Sequence, residues 1–348
     1  MKAIIHRLTL LITSVLLSFP SMAELVILQY HHVATNTPAV SSISPQGFAE
    51  HMDLLEKENM VVVDLYEAMQ ALDRGETLPD RAVAITFDDA YLSVYENALP
   101  ILAKRKWPFT MFVNTAAVDG NHNVAMSWDQ LRDMQRQGGV LANHSVNHPY
   151  LIERPETLSI EQWLDQEIGH AQRRLEKELG ISIRMHAYPY GEFNQDIIDW
   201  MASNGYLAFG QQSGAVSRHS HRQALPRYPA SGIYANPKTL VTKLHSLAFP
   251  IKADQLIEPI LHDNPPTLSF AFSSDDIRPH QIQCFAGGQG AISTKATRQD
   301  GVITVEAKAD NPITAGRPRY NCTAPSIQQP SRYYWYSQFW TNTDIPNR

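Results

Sequence analysis

The sequence contains no apolar run long enough to cross a bilayer. The apolar run near its start, residues 8–17, is shorter than the roughly 18 to 20 residues that a transmembrane helix needs, so no membrane span is expected. Basic residues are not in excess: 29 Lys and Arg stand against 35 Asp and Glu, and the net charge of −6 argues against binding to nucleic acid or anionic lipid. Internal repeats, coiled-coil heptads and low-complexity tracts are lacking too. The remaining composition, 43% hydrophobic and 18% charged, is ordinary for a folded globular protein.

The first residues have the pattern of an export signal. Residues 1–23 begin with the basic residues Lys2 and Arg7, continue with the apolar run 8–17 and end in the small-x-small sequence Ser-Met-Ala. This pattern predicts a cleaved signal peptide, a mature chain that begins at Glu24 and an exported protein, periplasmic or secreted. The alternative is a retained N-terminal anchor. A lipoprotein is disfavoured because no cysteine lies near the cleavage point.

Cysteine is scarce, with only Cys284 and Cys322 in the chain. Export would place both in an oxidising compartment, so a disulfide between them is the simplest interpretation. In the chain-entropy treatment, a closed loop of about 40 residues contributes roughly 4 kcal/mol. Two free buried thiols are the alternative.

Residues 24–250 alternate between strand-like and helix-like segments. Such alternation predicts a parallel α/β architecture, and a barrel of repeated β/α units fits the count better than an open three-layer sheet. The strand-like segments are residues 25–30, 61–64, 82–86, 109–113, 139–142 and 185–188.

The pattern changes after this region. Residues 251–266 form a proline-rich linker. Within residues 267–348, short alternating segments such as 267–272 and 302–307 are separated by Gly and Asn or Asp turns. This pattern predicts a small antiparallel β domain, similar to a β-sandwich.

Two adjacent acids, Asp88 and Asp89, end the apolar strand 82–87. In an α/β barrel, the carboxyl ends of the strands carry the catalytic groups. Because successive residues of an extended chain point in opposite directions, one carboxylate can bind a metal while the other remains free as a base. The alternative is a helix N-cap.

Two histidines, His144 and His148, follow the strand-like segment 139–143. If Ser145 begins a helical turn, the four-residue spacing puts both imidazoles on one side. Two imidazoles and one carboxylate can hold a divalent cation and leave positions open for water and substrate, which makes a hydrolase the leading hypothesis. A pair of structural histidines is the alternative.

The sequence Ala-Tyr-Pro-Tyr-Gly-Glu at 187–192 follows another strand-like segment. Its Pro and Gly predict a tight turn, and a backbone N–H group there can stabilise a tetrahedral oxyanion. The alternative is a turn without a catalytic role.

These motifs together resemble those of the polysaccharide deacetylases with the NodB homology domain, the family four carbohydrate esterases. Residues 86–89 match the family's Thr-Phe-Asp-Asp, residues 144–148 match His-Ser/Thr-x-x-His, and residues 188–191 are similar to the end of Arg-x-Pro-Tyr-Gly. The resemblance covers approximately residues 25–250. Tyr-His-His-Val in the first strand and Met-Ser-Trp-Asp-Gln-Leu ahead of the histidine motif also resemble exported bacterial members, including those that act on poly-N-acetylglucosamine.

The resemblance implies a fold and an activity. The fold is a distorted (β/α) barrel of seven or eight strands, and the activity is metal-dependent removal of N-acetyl groups from an N-acetylhexosamine glycan, with release of acetate. Asp88 would be the general base, and the metal ligands would be Asp89, His144 and His148. The Tyr190 backbone N–H would polarise the carbonyl oxygen. Zinc is the natural metal for this ligand set, and cobalt or nickel would also suit it.

The chain departs from the family pattern at the arginine that orients the base. Position 187, where the family usually has Arg, is Ala. Arg227 could supply that charge from another part of the chain, and otherwise nothing does.

The general acid that protonates the leaving amine is also unassigned. The family's Leu-x-His motif has two candidates here, His245 in a predicted amphipathic helix over residues 237–247 and His262 in the linker. His31 or His32, at the end of the first strand, could be the acid instead.

Aromatic residues cluster near the carboxyl terminus, at 333–336 and 339–340. They could stack on sugar rings, or they could form a β-domain core or an interdomain contact. Two other functions stay open at this point: an esterase that removes O-acetyl groups from a glycan, and a glycan-binding protein without turnover.

Overall fold

The structure is a computed structural model that describes residues 24–314 and 316–345. The expected signal peptide, residues 1–23, lies outside the described residues. Within the described part, no helix combines the length and the apolar character needed to span a membrane.

The elements follow one another in a largely alternating order. The strands are β1 (Glu24–Tyr30), β2 (His32–Val33), β3 (Ser42–Ile43), β4 (Val61–Val62), β5 (Ala82–Phe87), β6 (Phe109–Val113), β7 (Gly139–Asn143), β8 (Met185–Ala187), β9 (Leu207–Phe209), β10 (Val216–Ser217), β11 (Tyr228–Pro229), β12 (Ser246–Ala248), β13 (Thr267–Ser273), β14 (Gln283–Ala286), β15 (Gly290–Ala291), β16 (Ser293–Gln299), β17 (Val302–Lys308), β18 (Arg319–Pro325) and β19 (Tyr333–Phe339). The helices are α1 (Pro45–Lys57), α2 (Leu65–Asp73), α3 (Leu99–Arg105), α4 (Thr115–Asp119), α5 (Trp128–Arg136), α6 (Ile160–Leu164), α7 (His170–Leu179), α8 (Gln195–Ser203) and α9 (Pro237–Leu244).

A curled parallel sheet forms the centre of the first 250 residues. Its strands are ordered β1-β5-β6-β7-β8-β9, and each neighbouring pair is parallel. The segment 225–229 bridges the two ends of the curl, since Leu225 pairs with β9 and Tyr228 pairs with β1. The expectation of a distorted (β/α) barrel is confirmed. We call the edge formed by the carboxyl ends of these strands the carboxyl edge, and the opposite one the amino edge.

The strands and helices form where local sequence favours them. β1 and β5 are buried along their whole length, as expected for parallel strands with both faces covered. Helix α5 starts at a capping box in which Ser127 and Gln130 exchange side-chain and backbone hydrogen bonds. Helix α7 ends at Gly180, whose left-handed conformation (φ 67°) suits glycine.

A second unit, which we call the β module, comprises the described residues of 267–345. It contains the antiparallel sheet β13-β17-β16 and the strands β19-β18-β14-β15 of a second sheet, whose edge strand β12 precedes the module. The alternating burial of β13 and β17 places their apolar side chains in a common core. Cys284 and Cys322 face each other in the register of β14 and β18 and form a disulfide.

The β module packs along the side of the barrel, with β19 running from the amino edge to the carboxyl edge. At its start, Arg332 lies 3.5 Å from Glu24, the first residue of β1. At its end, Phe339 packs against Phe193, with ring centroids 4.9 Å apart. Strand β12, which follows α9, pairs with β19 and so joins the two units.

The aromatic residues at 334–340 form core and interdomain contacts, whereas Tyr333 is exposed. Tyr334 is 4% exposed in the core of the β module, and Trp335 packs edge-on against Tyr228 of the barrel at 5.6 Å. Of the two expected roles, the structure favours packing over exposed stacking on sugars.

Candidate metal centre at the carboxyl edge

The chemically important residues meet at the carboxyl edge because they follow parallel strands of one sheet. Asp88 and Asp89 follow β5, His144 follows β7, and Tyr190 follows β8. Parallel strands direct their carboxyl ends to the same edge, so residues far apart in sequence become neighbours.

Asp89, His144 and His148 form a compact cluster of potential metal ligands. One ligand atom from each lies within 4.8 Å of the other two. Asp89 Oδ1 is 3.3 Å from His144 Nε2 and 3.4 Å from His148 Nε2. His144 Nδ1 lies 2.7 Å from the Ala187 carbonyl oxygen, which accepts its hydrogen bond, so that Nε2 is the atom directed at the cluster that could bind a metal. The donor set and its support therefore fit a divalent cation.

The two histidines come together through a loop rather than a helical turn. Residues 144–150 are not helical, and the backbone is left-handed at Ser145 (φ 69°) and His148 (φ 55°). The expectation of a helical turn at Ser145 is wrong, because Asn143 accepts a hydrogen bond from the Ser145 N–H and Ser145 Oγ accepts one from the His148 N–H. Asn147 also donates to the buried Glu167, which anchors the loop.

Asp88 lies beside this cluster in a fully buried, hydrogen-bonded pocket. Arg227 Nη1 and Nη2 donate to its two carboxylate oxygens at 2.7 and 2.9 Å. Both side chains are 0% exposed. The positive charge beside Asp88 therefore comes from Arg227, in the segment that bridges the barrel ends, and not from position 187.

The electrostatics of the two acids follow from these partners. Burial raises the pKa of Asp88, but the charges of Arg227 and His144 outweigh it and the pKa falls to about 2. Burial also raises the pKa of Asp89, and the hydrogen bond and charge of His144 bring it well below the usual range. Both groups are therefore carboxylates at neutral pH, one held by a guanidinium and one available to a cation.

Tyr190 lies against the metal cluster in an unusual backbone conformation. Its φ of 59° and ψ of 0° are left-handed, and its ring packs edge-on against the His148 ring at 4.6 Å. The Tyr150 ring stacks on the Tyr190 ring, with centroids 4.1 Å apart and an interplanar angle of 16°. The turn at 189–191 is thus fixed next to the metal ligands.

The structure separates the candidates for the general acid. His31 Nε2 lies 3.8 Å from Asp88 Oδ2, and its side chain is 23% exposed. It therefore lies at the site and remains accessible to a substrate. His32 stacks on Tyr91, with ring centroids 3.5 Å apart.

His245 lies at the opposite edge of the barrel. It follows α9, and its Nε2 is 2.9 Å from Glu58 Oε2. Glu58 accepts a hydrogen bond from Arg81, which directly precedes β5, so this pair belongs to the amino edge. The expectation that His245 is the acid is not supported, because α9 delivers it to the wrong end of the strands. His262 is exposed in the segment before β13, next to Leu261, which bonds to Thr341.

Two residues of the site were not singled out from the sequence. Gln29 donates to Asp88 Oδ2 at 2.7 Å, and it is the one polar residue between Leu25 and Tyr30 in an otherwise apolar strand, which was a usable signal. The Tyr91 hydroxyl hydrogen-bonds Asp89, and burial raises its pKa. No periodicity marks Tyr91, since it lies in the turn after β5.

The comparisons with known proteins agree with this geometry. The sequence profile of the polysaccharide deacetylase family matches residues 75–209. A putative polysaccharide deacetylase, YxkH of Bacillus subtilis, is 24% identical over 220 residues, which cover 63% of this chain and 76% of that protein. A poly-β-1,6-N-acetyl-D-glucosamine N-deacetylase of Staphylococcus aureus is 29% identical over 198 residues, covering 53% of this chain and 67% of that protein.

Solved structures show the same fold. IcaB from Ammonifex degensii is 28% identical with a TM-score of 0.56, and the match covers 64% of this chain and 97% of that one. The Streptococcus pyogenes deacetylase PplD, solved with acetate, is 24% identical with a TM-score of 0.58 and covers 64% of this chain and 99% of that one. With the family's motifs gathered into one site on this fold, the chain contains a polysaccharide deacetylase domain.

Proposed function

We propose that this protein is a metal-dependent hydrolase that removes N-acetyl groups from a glycan containing N-acetylhexosamine and releases acetate. The observation that carries the proposal is the juxtaposition, at one edge, of a three-ligand cluster with a separate carboxylate that is buried and ionised. The profile match and the relatives support the same chemistry.

Asp89, His144 and His148 are the proposed metal ligands. A divalent cation held there would supply Lewis acidity to a water molecule and to the acetamide carbonyl oxygen. Two nitrogen donors and one oxygen donor suit Zn²⁺, and Co²⁺ or Ni²⁺ are compatible with them. We propose zinc as the native ion.

Asp88 is the proposed general base. It lies next to the ligand cluster, and its bidentate pair with Arg227 fixes the direction of its carboxylate. As water attacks the acetamide carbon, Asp88 accepts the proton that the water loses. Arg227 orients the base and keeps it ionised, and this assigns to Arg227 the role that the family's missing arginine would have.

Tyr190 and His31 are proposed to act on the substrate's carbonyl oxygen and nitrogen. The Tyr190 N–H lies on the turn beside His148 and would donate to the carbonyl oxygen as negative charge develops there. His31 lies 3.8 Å from Asp88 and would donate a proton to the departing amine when the C–N bond breaks. Attack and protonation are thus served by different residues.

We propose that the protein acts outside the cytoplasm. The signal-like residues 1–23 and the disulfide between Cys284 and Cys322 support export, since disulfides persist in oxidising compartments. The N-acetylglucosamine polymer of the staphylococcal relative suggests an extracellular or periplasmic glycan as substrate.

The test is a comparison of acetyl donors. Purified protein supplied with Zn²⁺ is incubated with N-acetylated β-1,6-linked glucosamine oligosaccharides, with chitooligosaccharides and with acetyl-xylan, and free acetate is measured. We expect release from at least one N-acetylated oligosaccharide and none from acetyl-xylan. Release from acetyl-xylan alone would identify an O-acetyl esterase, and no release from any donor would favour a glycan-binding protein.

A further inference from the structure

A loop of the β module reaches the metal centre. Arg317, between β17 and β18, donates from Nε to Glu192 Oε1 at 2.8 Å. Glu192 is 0% exposed and follows the turn that carries Tyr190. An ion pair that joins a partly exposed arginine to a fully buried acid ties the two units at the carboxyl edge.

The same guanidinium covers the aromatic rings of the site. Arg317 Cζ lies 5.0 Å from the centroid of Tyr190 and 5.9 Å from that of Tyr150. These distances are in the range of cation–π attraction. Because the Tyr190 ring also contacts the His148 ring, Arg317 acts on a residue that borders a proposed metal ligand.

The Tyr190 turn needs support from its surroundings. Tyr190 has a positive φ of 59°, which side-chain-bearing residues seldom adopt, and Gly191 follows with a φ of 75°. A Cβ at Gly191 would lie 2.8 Å from Gln211 Cβ, so the turn is packed tightly against the next strand connection. A conformation that is locally unfavourable persists when packing holds it on several sides.

The Arg317 loop is itself anchored in the β module. The Trp340 N–H donates to the Pro318 carbonyl at 2.9 Å, and the Asn342 N–H donates to the Gly316 carbonyl at 2.8 Å. Trp340 is 3% exposed and packs against Tyr320. Both neighbours of Arg317 are therefore bound to the segment that follows β19, which fixes where the guanidinium lies.

We propose that Arg317 is a positioning residue of the deacetylase site, and that the β module completes this site rather than acting as a separate appendage. The inference rests on the proposed function. Arg317 holds the Tyr190 turn between itself, Tyr150 and His148, so that the Tyr190 N–H meets the substrate's carbonyl oxygen. The hydrogen bond from the Tyr190 N–H strengthens as the oxyanion develops. Loss of this hydrogen bond therefore lowers kcat more than it changes KM.

The test compares Arg317→Ala with Arg317→Lys and with Arg298→Ala in the full chain. Arg298 donates to Ser274 and Ile277 carbonyls within the β module, so its loss disturbs the module without touching the Tyr190 turn. We expect Arg317→Ala to lower kcat for acetate release about tenfold with KM within about twofold, Arg317→Lys to recover part of the loss, and Arg298→Ala to retain the parent kcat. The double variant with Tyr150→Leu and Arg317→Ala should show a smaller fold loss in kcat than the product of the two single-variant losses, because both residues hold the Tyr190 ring.

A second readout does not depend on turnover. In the Co²⁺-loaded protein, the visible absorption spectrum reports the ligand geometry, and we expect Arg317→Ala but not Arg298→Ala to alter it. An unchanged kcat and an unchanged cobalt spectrum in Arg317→Ala would overturn the inference. Equal losses in Arg317→Ala and Arg298→Ala would also overturn it, since they would indicate general destabilisation. If the parent releases no acetate, the proposed function fails, and the cobalt spectra still decide whether Arg317 positions the site.

Discussion

The two edges of the barrel both carry a histidine beside a carboxylate, and they differ in the burial of the carboxylate and in its charged partners. At the carboxyl edge, Asp88 is 0% exposed, is paired with a buried arginine and lies 3.8 Å from His31. At the amino edge, the His245 and Glu58 side chains are 17% and 23% exposed and form a simple pair. The first arrangement places an ionised carboxylate next to potential metal ligands, whereas the second is a partly exposed histidine–carboxylate contact, which typically contributes at most about 1 kcal/mol to stability.

The comparison shows that sequence spacing alone does not locate a catalytic histidine. The sequence Lys-Leu-His at 243–245 is only loosely similar to the family's Leu-x-His acid motif, and α9 ends just before the amino edge, where β12 begins. His31 carries no such motif, yet it directly follows β1, whose carboxyl end lies beside that of β5. The topology of the sheet decides which of the two lies at the proposed site.

The largest expected effect is at the base. Asp88→Asn retains the size of the side chain and removes the proton acceptor, so acetate release should fall about 10³-fold while bound metal stays near the parent level. Acetate assays and metal analysis on the same preparation measure both. Glu58→Gln makes the corresponding change at the amino edge and should leave acetate release within about twofold of the parent. Undiminished activity in Asp88→Asn would rule out its assignment as base.

The next effect concerns the two histidines. His31→Gln should lower kcat about 10²-fold because the departing amine loses its proton donor. His245→Gln should change kcat by less than about twofold, since it removes only a partly exposed pair with Glu58. A large loss of kcat in His245→Gln together with full activity in His31→Gln would contradict our assignment of the general acid to the carboxyl edge.

A smaller effect, visible mainly as a shift with pH, is expected at Arg227. In the parent, burial raises the pKa of Asp88, and Arg227 together with His144 more than offsets this rise, so the carboxylate stays ionised down to acidic pH. Arg227→Lys keeps a positive charge but loses the bidentate bond, so the pKa of Asp88 should rise and activity should be lost at a higher pH on the acid side. The pH profile of kcat/KM measures this shift.

The matched control for this change is Arg222→Lys, which alters a partly exposed arginine paired with Asp73. Its profile should superimpose on that of the parent. If kcat/KM of Arg227→Lys falls at the same acidic pH as that of the parent, Arg227 does not set the ionisation of Asp88.

Much of the barrel and the core of its site could be predicted from the sequence. The strands 82–87 and 139–143 are apolar runs that end in polar motifs, so their positions follow from local pattern. The contacts of Asp88 with Arg227 and Gln29 could not be predicted in this way, because they join residues 139 and 59 positions apart through the curl of the sheet. The left-handed loop at Ser145 was also missed, since side-chain hydrogen bonds override the helical spacing there.

The link between Arg317 and Glu192 illustrates the same limit for the β module. The two residues lie 125 positions apart and belong to units with separate cores. Their meeting depends on β19 crossing the barrel from one edge to the other, and no local pattern encodes that path. The role of the module therefore becomes visible only in three dimensions.

The central claim is that the carboxyl edge holds a cation required for hydrolysis, and a metal titration tests it most directly. Protein stripped of metal is titrated with Zn²⁺, while bound metal and acetate release from an N-acetylated glucosamine oligosaccharide are measured together, with His144→Gln as the control. We predict that the stripped protein is inactive, that activity returns in proportion to bound metal up to a single ion per chain, and that His144→Gln regains little of either. Full acetate release by the stripped protein in the presence of a chelator would contradict the account.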